Sequence, residues 1–316
     1  MSVALNRQRW SGVFPAITTP FHPDLTVDHD FLARHVAWLV DSGCDGIVAL
    51  GSLGEGATLT CDEKVAILRT CVDAVGARVP VVAGIAGLRT AECVALAREA
   101  ATAGCGGLMV LPPYVYKGTW GEMRAHFDAI IEATPLSCML YNNPIAYGTD
   151  VTAPQMAELA AAHVNLHAVK ESSGDVRRIT AVLERLGDRL AVFAGLDDMI
   201  VEAIAVGATG WVAGLVNALP AESVALVRLA RDGQMTEALE LYHWFLPLLR
   251  LDTLPDFVQR IKLVQEELRA GTARVRPPRL ELDTDVADDT RALLRHAMRS
   301  RPAVAPQSTP FMETAR

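Results

Sequence analysis

Short apolar segments alternate eight times with segments of helical spacing between residues 12 and 231 of this 316-residue chain. The apolar segments are bounded by Gly, Pro, Asp or Asn, which is typical of strands whose two sheet faces are both covered. The intervening segments repeat apolar residues three and four positions apart, as Leu32, Val36, Leu39 and Val40 do in the first of them. Eight such units without a long insertion predict an α/β fold of the closed (β/α)8 or TIM-barrel type, which we favour over an open doubly wound sheet.

The predicted strands cover residues 12–18, 46–50, 81–84, 107–111, 137–141, 166–170, 190–194 and 210–213. More helical segments follow the last unit, and we interpret them as a C-terminal helical extension packed on the barrel: residues 235–249, 257–270 and 286–298. The final residues are rich in Pro, Ser and Thr, which predicts a loose tail. The predicted organisation is therefore a barrel over residues 1–232, the extension over 233–300 and a flexible tail over 301–316.

The composition argues against several classes of partner. The formal net charge is −8 and no run of Lys or Arg appears, so a nucleic-acid partner is not expected. No apolar run reaches the ~18 residues that indicate a membrane helix, and the polar N-terminus lacks the apolar segment of a signal peptide, so we predict a cytoplasmic protein. The six cysteines form no C-x-x-C pair and the eight histidines are scattered, which predicts reduced thiols and no metal site.

The strand predicted over residues 166–170 ends in Lys170 and is followed by small polar residues. Burying an ammonium is costly, so a lysine that closes an apolar strand requires an explanation. Burial lowers the pKa of a lysine and leaves more of its amine uncharged, and therefore nucleophilic toward a carbonyl. The alternative is structural: the side chain extends past the strand end and keeps its charge in water. The neighbouring strand ends bear on this choice.

Tyr141 closes the fifth predicted strand on the same face as Met139, because side chains alternate along a strand. If this face and that of Lys170 both point inward, the two residues meet at the barrel mouth, where barrel enzymes carry their catalytic groups. A phenol beside a desolvated amine can shuttle the protons that Schiff-base chemistry requires. Without Lys170, the same tyrosine is better interpreted as an aromatic residue that caps the barrel.

Two other strand ends carry polar residues. The turn over residues 51–56 contains Ser52 and small residues whose free N–H groups can hold a carboxylate, although a plain tight turn explains its glycines as well. Asp197 and Asp198 follow the seventh strand. A carboxylate pair suggests acid–base chemistry, but N-capping of the next helix is the favoured role for one of them.

Five motifs, in their order and spacing, resemble the dihydrodipicolinate synthase/N-acetylneuraminate lyase family of class I aldolases: G-V-F-P-A-I-T-T-P-F (12–21), G-S-L-G-E (51–55), Y-N-N-P (141–144), V-K-E-S-S (169–173) and G-L-D-D (195–198). The resemblance implies that Lys170 forms an imine with the C2 carbonyl of pyruvate or a related 2-oxo acid, and that Tyr141 is the proton shuttle. It implies that the Ser52 hydroxyl and the backbone N–H groups of Ser52 and Leu53 hold the substrate carboxylate. It also implies a homotetramer, built as a dimer of dimers, that needs neither a metal nor an organic cofactor.

We add Gly51, Gly195 and Val212, from the second, seventh and eighth strands and their ends, to the predicted substrate-binding residues. With Ser52 and Leu53 they complete the binding set that we expect around the imine.

Departures from the family pattern bear on the reaction. Leu53 stands where the family turn usually carries a second hydroxyl residue. Ala146 stands where the lysine-pathway synthase has an arginine for the carboxylate of aspartate semialdehyde, so that carboxylate would lose a charge-assisted partner. Val115 stands where that synthase has a tyrosine that completes a proton relay across a subunit interface, and either Tyr114 or Tyr116 is a candidate replacement.

The leading hypothesis is a lyase that acts on a 2-oxo acid through a lysine imine, by aldol cleavage or condensation or by loss of water or ammonia. Hydratase-aldolases of aromatic substrates, hydroxyproline-pathway deaminases and sugar-acid dehydratases are branches that the resemblance leaves open. The alternatives are 4-hydroxy-tetrahydrodipicolinate synthase itself, a barrel enzyme with a metal or phosphate site, and a catalytically silent barrel that serves as a sensor or scaffold.

Overall fold

Eight parallel strands form the barrel, as the sequence predicts, in a computed structural model that describes residues 1–114 and 116–303. The hydrogen-bonded order is β1-β8-β7-β6-β5-β4-β3-β2, and a backbone bridge between Ala16 and Val48 brings β1 beside β2. The strands are β1 (Gly12–Pro15), β2 (Ile47–Ala49), β3 (Val81–Ile85), β4 (Gly107–Val110), β5 (Ser137–Asn142), β6 (Leu166–Glu171), β7 (Ala191–Ala194) and β8 (Gly210–Ala213).

Helices alternate with the strands and continue past β8. The first nine are α1 (His29–Asp41), α2 (Cys61–Val75), α3 (Thr90–Thr102), α4 (Trp120–Glu132), α5 (Pro144–Tyr147), α6 (Ala153–Ala162), α7 (Arg177–Leu186), α8 (Ile200–Ala205) and α9 (Pro220–Arg231). The C-terminal part contributes α10 (Met235–Leu249), α11 (Phe257–Glu267) and α12 (Thr284–Arg299). The short α5, directly after β5, is an element that the sequence analysis did not predict.

Aromatic side chains close the N-terminal end of the barrel. The Trp10 and Phe14 rings stack with centroids 5.6 Å apart, and Phe193 meets Phe14 edge-on at 5.3 Å. The Trp10 indole Nε1 donates to Ser137 Oγ at 2.8 Å, so the polar atom of this buried residue is satisfied. The opposite end of the barrel, formed by the C-terminal ends of the strands, is where barrel enzymes carry their active sites.

A buried ion pair attaches the C-terminal helices to the barrel. Lys262 of α11 donates from Nζ to Glu55 Oε1 at 2.7 Å and to the Thr19 carbonyl at 2.9 Å. Both charged side chains are almost fully excluded from solvent, at 1% exposure for Lys262 and 0% for Glu55. A second contact runs from Thr18 Oγ1 to Gln265 Oε1 at 2.9 Å. The extension therefore holds the loop that carries Ser52.

The division into regions 1–232, 233–300 and 301–316 stays a prediction. Most of the predicted tail, residues 304–316, lies outside the described residues. Within the described part of the chain, no helix combines the length and apolar character needed to cross a membrane. All six cysteines are free thiols, and five of them are buried.

Candidate active site

Lys170 and Tyr141 lie side by side at the C-terminal ends of β6 and β5. The two strands pair in parallel with Tyr141 directly opposite Lys170, as the alternation of side chains predicts. Lys170 Nζ lies 4.2 Å from the centroid of the Tyr141 ring. This distance is within the range of a cation–π contact, and it brings the amine next to the phenol.

Lys170 is buried rather than extended into solvent, with a relative exposure of 6%. Among the described residues, no carboxylate forms a salt bridge with its Nζ, in contrast to the buried Lys262. Burial lowers the pKa of Lys170 below its ordinary value of 10.5, while the more remote carboxylates of Asp252 and Asp197 oppose that shift. A lowered pKa leaves more of the amine uncharged, which is the form that attacks a carbonyl.

Gly195, directly after β7, packs closely against the Lys170 side chain. A Cβ at this position would overlap Ser172 Oγ and would lie 2.7 Å from Lys170 Cε. Its backbone N–H donates to the Glu171 carbonyl at 2.9 Å, which fixes the glycine beside the lysine strand. The close approach explains why a residue without a side chain is needed here.

We therefore expect Gly195→Ala to displace the Lys170 amine and to lower turnover strongly, with a stability cost of about 1–3 kcal/mol from overpacking. Steady-state kinetics and urea unfolding measure the two effects. Gly121→Ala is the matched control, because the first turn of α4 offers open space and the nearest atom to the new Cβ is Thr119 Oγ1 at 3.9 Å. Full activity in Gly195→Ala would contradict the placement of the lysine.

Tyr141 is a buried phenol with a dedicated hydrogen-bond donor. Its side chain is 5% exposed, and burial raises its pKa to about 12. Asn143 Nδ2 donates to the Tyr141 oxygen at 3.0 Å, which orients the hydroxyl. At neutral pH the phenol therefore carries its proton, as a group must that gives a proton to a reacting carbon or oxygen.

The Ser52 turn is held in an unusual backbone conformation. Leu50, directly before the turn, and Glu55, within it, both have left-handed φ angles, of 67° and 54°. Such angles are costly for residues other than glycine and persist where the surroundings fix them. The Glu55 carboxylate is fixed by Lys262 and by the Arg276 backbone N–H, at 2.9 Å. The turn is thus a preformed element, which suits a binding loop.

Within the turn, the Ser52 hydroxyl shares a hydrogen bond with the Tyr147 hydroxyl. The Leu53 side chain is buried, at 3% exposure, and Gly51 is buried as well. Val212 is buried on β8 in register with Phe14 of β1. The places of these residues beside a substrate stay predictions.

The capping role expected for Asp197 or Asp198 is wrong. No side-chain cap begins α8, and its N-cap residue is Met199. Asp197 is instead fully buried and accepts hydrogen bonds from the Gly214 and Leu215 N–H groups after β8, at 3.0 and 2.7 Å. Trp211 Nε1 donates to it as well, at 3.0 Å. The carboxylate thus ties the loop after β7 to the loop after β8.

Two residues near Lys170 were missed by the sequence analysis. Tyr147 lies at the end of α5, with its ring edge-on to Tyr141 at a centroid distance of 5.8 Å. Asp252 comes from the C-terminal helical part, and its carboxylate packs so closely on Gly214 that a Cβ there would overlap Oδ1. An aromatic residue six positions after Tyr141 could have suggested Tyr147 as a site residue. No local sequence pattern suggests Asp252.

The two candidates for the relay tyrosine, Tyr114 and Tyr116, lie in different surroundings. Tyr116 is 58% exposed, and the Tyr114 ring lies 6.0 Å from that of Tyr147. Val115, which stands at the matching position, lies outside the described residues.

Comparison with known proteins agrees with this geometry. The model of the dihydrodipicolinate synthetase family matches residues 9–297. The chain belongs to the dihydrodipicolinate synthetase family. Members of this family are lyases of the class I aldolase type that act through a lysine Schiff base, so the chain is an enzyme of that class.

Curated and structural relatives support the assignment over most of the chain. The 4-hydroxy-tetrahydrodipicolinate synthase of Haloarcula marismortui is 35% identical over 288 residues, which is 90% of this chain and 92% of the relative. The structure of YagE, a prophage protein of the family from E. coli K12 in complex with pyruvate, superposes with a TM-score of 0.86 at 28% identity and covers 92% of this chain and 99% of YagE. The synthase of Acinetobacter baumannii complexed with pyruvate gives a TM-score of 0.85 at 27% identity, over 91% and 99% of the two chains.

Proposed function

We propose that the enzyme acts on pyruvate or a related 2-oxo acid through an imine on Lys170. The observation that carries the proposal is the buried Lys170 amine, which lies over the Tyr141 ring and forms no salt bridge with a described carboxylate. An amine that is partly uncharged at neutral pH is an effective nucleophile toward a ketone. The pyruvate complexes of YagE and of the Acinetobacter synthase support a 2-oxo acid as the ligand class.

In the proposed reaction the Lys170 nitrogen attacks C2 of the oxo acid, and the carbonyl oxygen leaves as water after it has taken up two protons. The protonated imine withdraws electrons from the adjacent carbon. Either a C–H bond or a carbon–carbon bond at C3 then breaks, and the electron pair of that bond forms the enamine. Tyr141 gives and takes the protons in these steps, because its ring lies beside the amine and its hydroxyl carries a proton at neutral pH.

The substrate carboxylate is proposed to bind at the Ser52 turn. Ser52 is half-buried in the fixed turn. The preceding Gly51 has space beside it, since a Cβ built there would have Met109 Cε, at 3.7 Å, as its nearest neighbour. Backbone N–H groups in such a turn hold a carboxylate without any arginine. Leu53, Gly195 and Val212 complete the proposed binding set around the Lys170 nitrogen.

Exchange of the pyruvate methyl protons with deuterium oxide, followed by NMR, tests the proposed function. An enzyme that forms the imine and the enamine exchanges these protons without any second substrate. We expect exchange that depends on enzyme concentration and that saturates with pyruvate. If neither pyruvate nor a longer 2-oxo acid exchanges its C3 protons, the proposal is wrong, and the silent-barrel alternative gains support.

Tyr141→Phe is expected to lower kcat by about 10²–10⁴-fold, because the variant keeps the ring contact with Lys170 but loses the acid–base hydroxyl. KM for the oxo acid should change by less than ~3-fold, since the loss concerns proton transfer rather than binding. Steady-state kinetics separate the two constants. A change confined to KM would contradict the proton-transfer role.

The finer assignment to 4-hydroxy-tetrahydrodipicolinate synthase is the second candidate, favoured by the name of the Haloarcula relative. We propose instead a different electrophile or leaving group, because the exposed Ala146 provides no charge for the carboxylate of aspartate semialdehyde. A coupled assay with pyruvate and aspartate semialdehyde distinguishes them. Efficient condensation would assign the synthase activity to this chain.

We also propose a homotetramer in the cytoplasm. Support for self-association comes from large apolar side chains exposed after β3, β4 and β5, namely Leu88 at 66%, Tyr116 at 58% and Ile145 at 69%. Exposed apolar residues that cluster on a protein surface are typical of protein interfaces. Light scattering coupled to size-exclusion chromatography gives the molecular mass; a monomer at micromolar concentration would contradict the proposal.

A further inference from the structure

Three hydroxyl-bearing side chains from two strand ends form one contiguous group at the barrel mouth. Ser52, after β2, shares a hydrogen bond with Tyr147, at the end of α5. The Tyr147 ring in turn meets the Tyr141 ring edge-on at a centroid distance of 5.8 Å. Tyr147 is therefore the link between the proposed carboxylate site and the proposed acid–base group.

The backbone of α5 fixes Tyr147 in this place. Asn143 caps the helix by accepting a hydrogen bond from the Ala146 N–H at 2.9 Å, and Pro144 occupies its first turn. Gly148 ends the helix in the left-handed conformation with φ 66°. Because the Asn143 side-chain nitrogen also donates to the Tyr141 oxygen, one residue orients both phenols.

The two phenols differ in their access to solvent. Tyr141 is 5% exposed, whereas Tyr147 is only half-buried. Burial raises the pKa of Tyr147 above its ordinary value, and a charged Tyr141 would raise it further, so Tyr147 keeps its proton at neutral pH. Tyr147 in turn lowers the pKa of Tyr141 through a side-chain hydrogen bond, against the larger effect of burial. The protonated Tyr147 side chain thus has more access to solvent than Tyr141.

We propose that Tyr147 is the positioning residue and proton relay of Tyr141, supplied by the same chain through its hydroxyl contact with Ser52 and its ring contact with Tyr141. The proposal rests on the proposed function. When Tyr141 gives its proton to the substrate, Tyr147 passes its own proton to the Tyr141 oxygen and regains one from solvent, either directly or through Ser52, which is itself reprotonated by solvent. Each hydroxyl gives one proton and receives one, so the group returns to its starting state.

Tyr114 and Tyr116 do not fill this position in the structure. Tyr114 contacts Tyr147 through a tilted arrangement of the two rings, with centroids 6.0 Å apart and an interplanar angle of 46°. Among the hydrogen bonds of the described residues, only Tyr147 of these three tyrosines reaches the Ser52 hydroxyl. Tyr114→Phe is therefore a matched control: it removes a neighbouring phenol hydroxyl from the same aromatic cluster and leaves the Ser52–Tyr147–Tyr141 group intact.

The test compares Tyr147→Phe with Tyr114→Phe in the full-length enzyme. Each variant is assayed for deuterium exchange of the pyruvate methyl protons and for reduction of the imine by borohydride. We expect Tyr147→Phe to lower the maximal exchange rate by about 10–100-fold, at the lower end of the effect of an acid–base group. KM for pyruvate should change less than ~3-fold, and borohydride should still label Lys170.

The outcomes separate this inference from the proposed function. The relay is supported if Tyr147→Phe is still labelled at Lys170 but exchanges slowly, and if Tyr114→Phe exchanges at nearly the parental rate. Exchange within about twofold of the parent in Tyr147→Phe overturns it, as does an equal loss in Tyr114→Phe. Absence of labelling in the parent enzyme would instead contradict the imine itself.

Discussion

Lys170→Ala is expected to abolish turnover of every 2-oxo acid, with a loss on the order of 10⁴-fold or more. The variant has no amine within reach of the substrate carbonyl, so the electron-withdrawing imine cannot form. The fold should survive, because Lys170 makes no salt bridge with a described residue whose loss would leave a buried charge unpaired. Kinetics with pyruvate exchange and urea unfolding measure both consequences.

Two further lysine variants sharpen this result. Lys170→Arg keeps a cation over the Tyr141 ring but has no nucleophilic amine, and it should be as inactive as the alanine variant. Lys117→Ala removes an exposed lysine near Gly148 and should retain activity. Substantial turnover by Lys170→Ala or Lys170→Arg would refute the mechanism.

Lys262→Met is expected to lower the free energy of unfolding by about 3–5 kcal/mol, the largest stability effect that we predict. The substitution leaves the fully buried Glu55 carboxylate with the Arg276 N–H at 2.9 Å and a longer ion pair with the partly exposed Arg279, at 3.9 Å. Activity should fall too, because Glu55 lies in the turn that carries Ser52 and has a left-handed φ of 54°. Urea unfolding monitored by circular dichroism gives the stability change.

The double variant Lys262→Met with Glu55→Gln distinguishes a stranded charge from simple loss of packing. Neutralising the carboxylate should recover part of the lost stability, because an uncharged amide is less costly to bury. The exposed pair of Arg89 and Glu92, at 75% and 51% side-chain exposure, provides the contrast. Arg89→Met should change stability by less than ~0.5 kcal/mol. A loss below about 1 kcal/mol in Lys262→Met would show that the ion pair does not hold the extension.

The barrel was predictable because its strands and helices are encoded by local patterns. Apolar runs bounded by turn residues located all eight strands, and the two-residue alternation placed Tyr141 and Lys170 on facing positions of β5 and β6. The main errors in the barrel were at the element ends: β1 stops at Pro15, where the sequence pattern continues to Thr18. Boundaries depend on hydrogen bonds across the barrel, which a local pattern does not contain.

The rest of the site depends on contacts between distant segments. Asp197 has the sequence context of a helix cap, yet its carboxylate binds backbone N–H groups 17 and 18 residues further along the chain. Asp252 belongs to the C-terminal part and reaches Gly214 only because the helices fold back over the barrel. Tyr147 gains its place from the short helix α5, which is too brief to give a periodic signal.

Borohydride reduction in the presence of pyruvate, followed by intact mass measurement and peptide mapping, tests whether Lys170 forms the imine. We expect a single adduct, with the mass of a reduced pyruvyl imine, on the peptide that contains Lys170. Lys262, the other buried lysine described here, should remain unmodified because it is paired with Glu55. An adduct on a lysine other than Lys170, or no adduct with pyruvate or any longer 2-oxo acid, would contradict imine formation at Lys170.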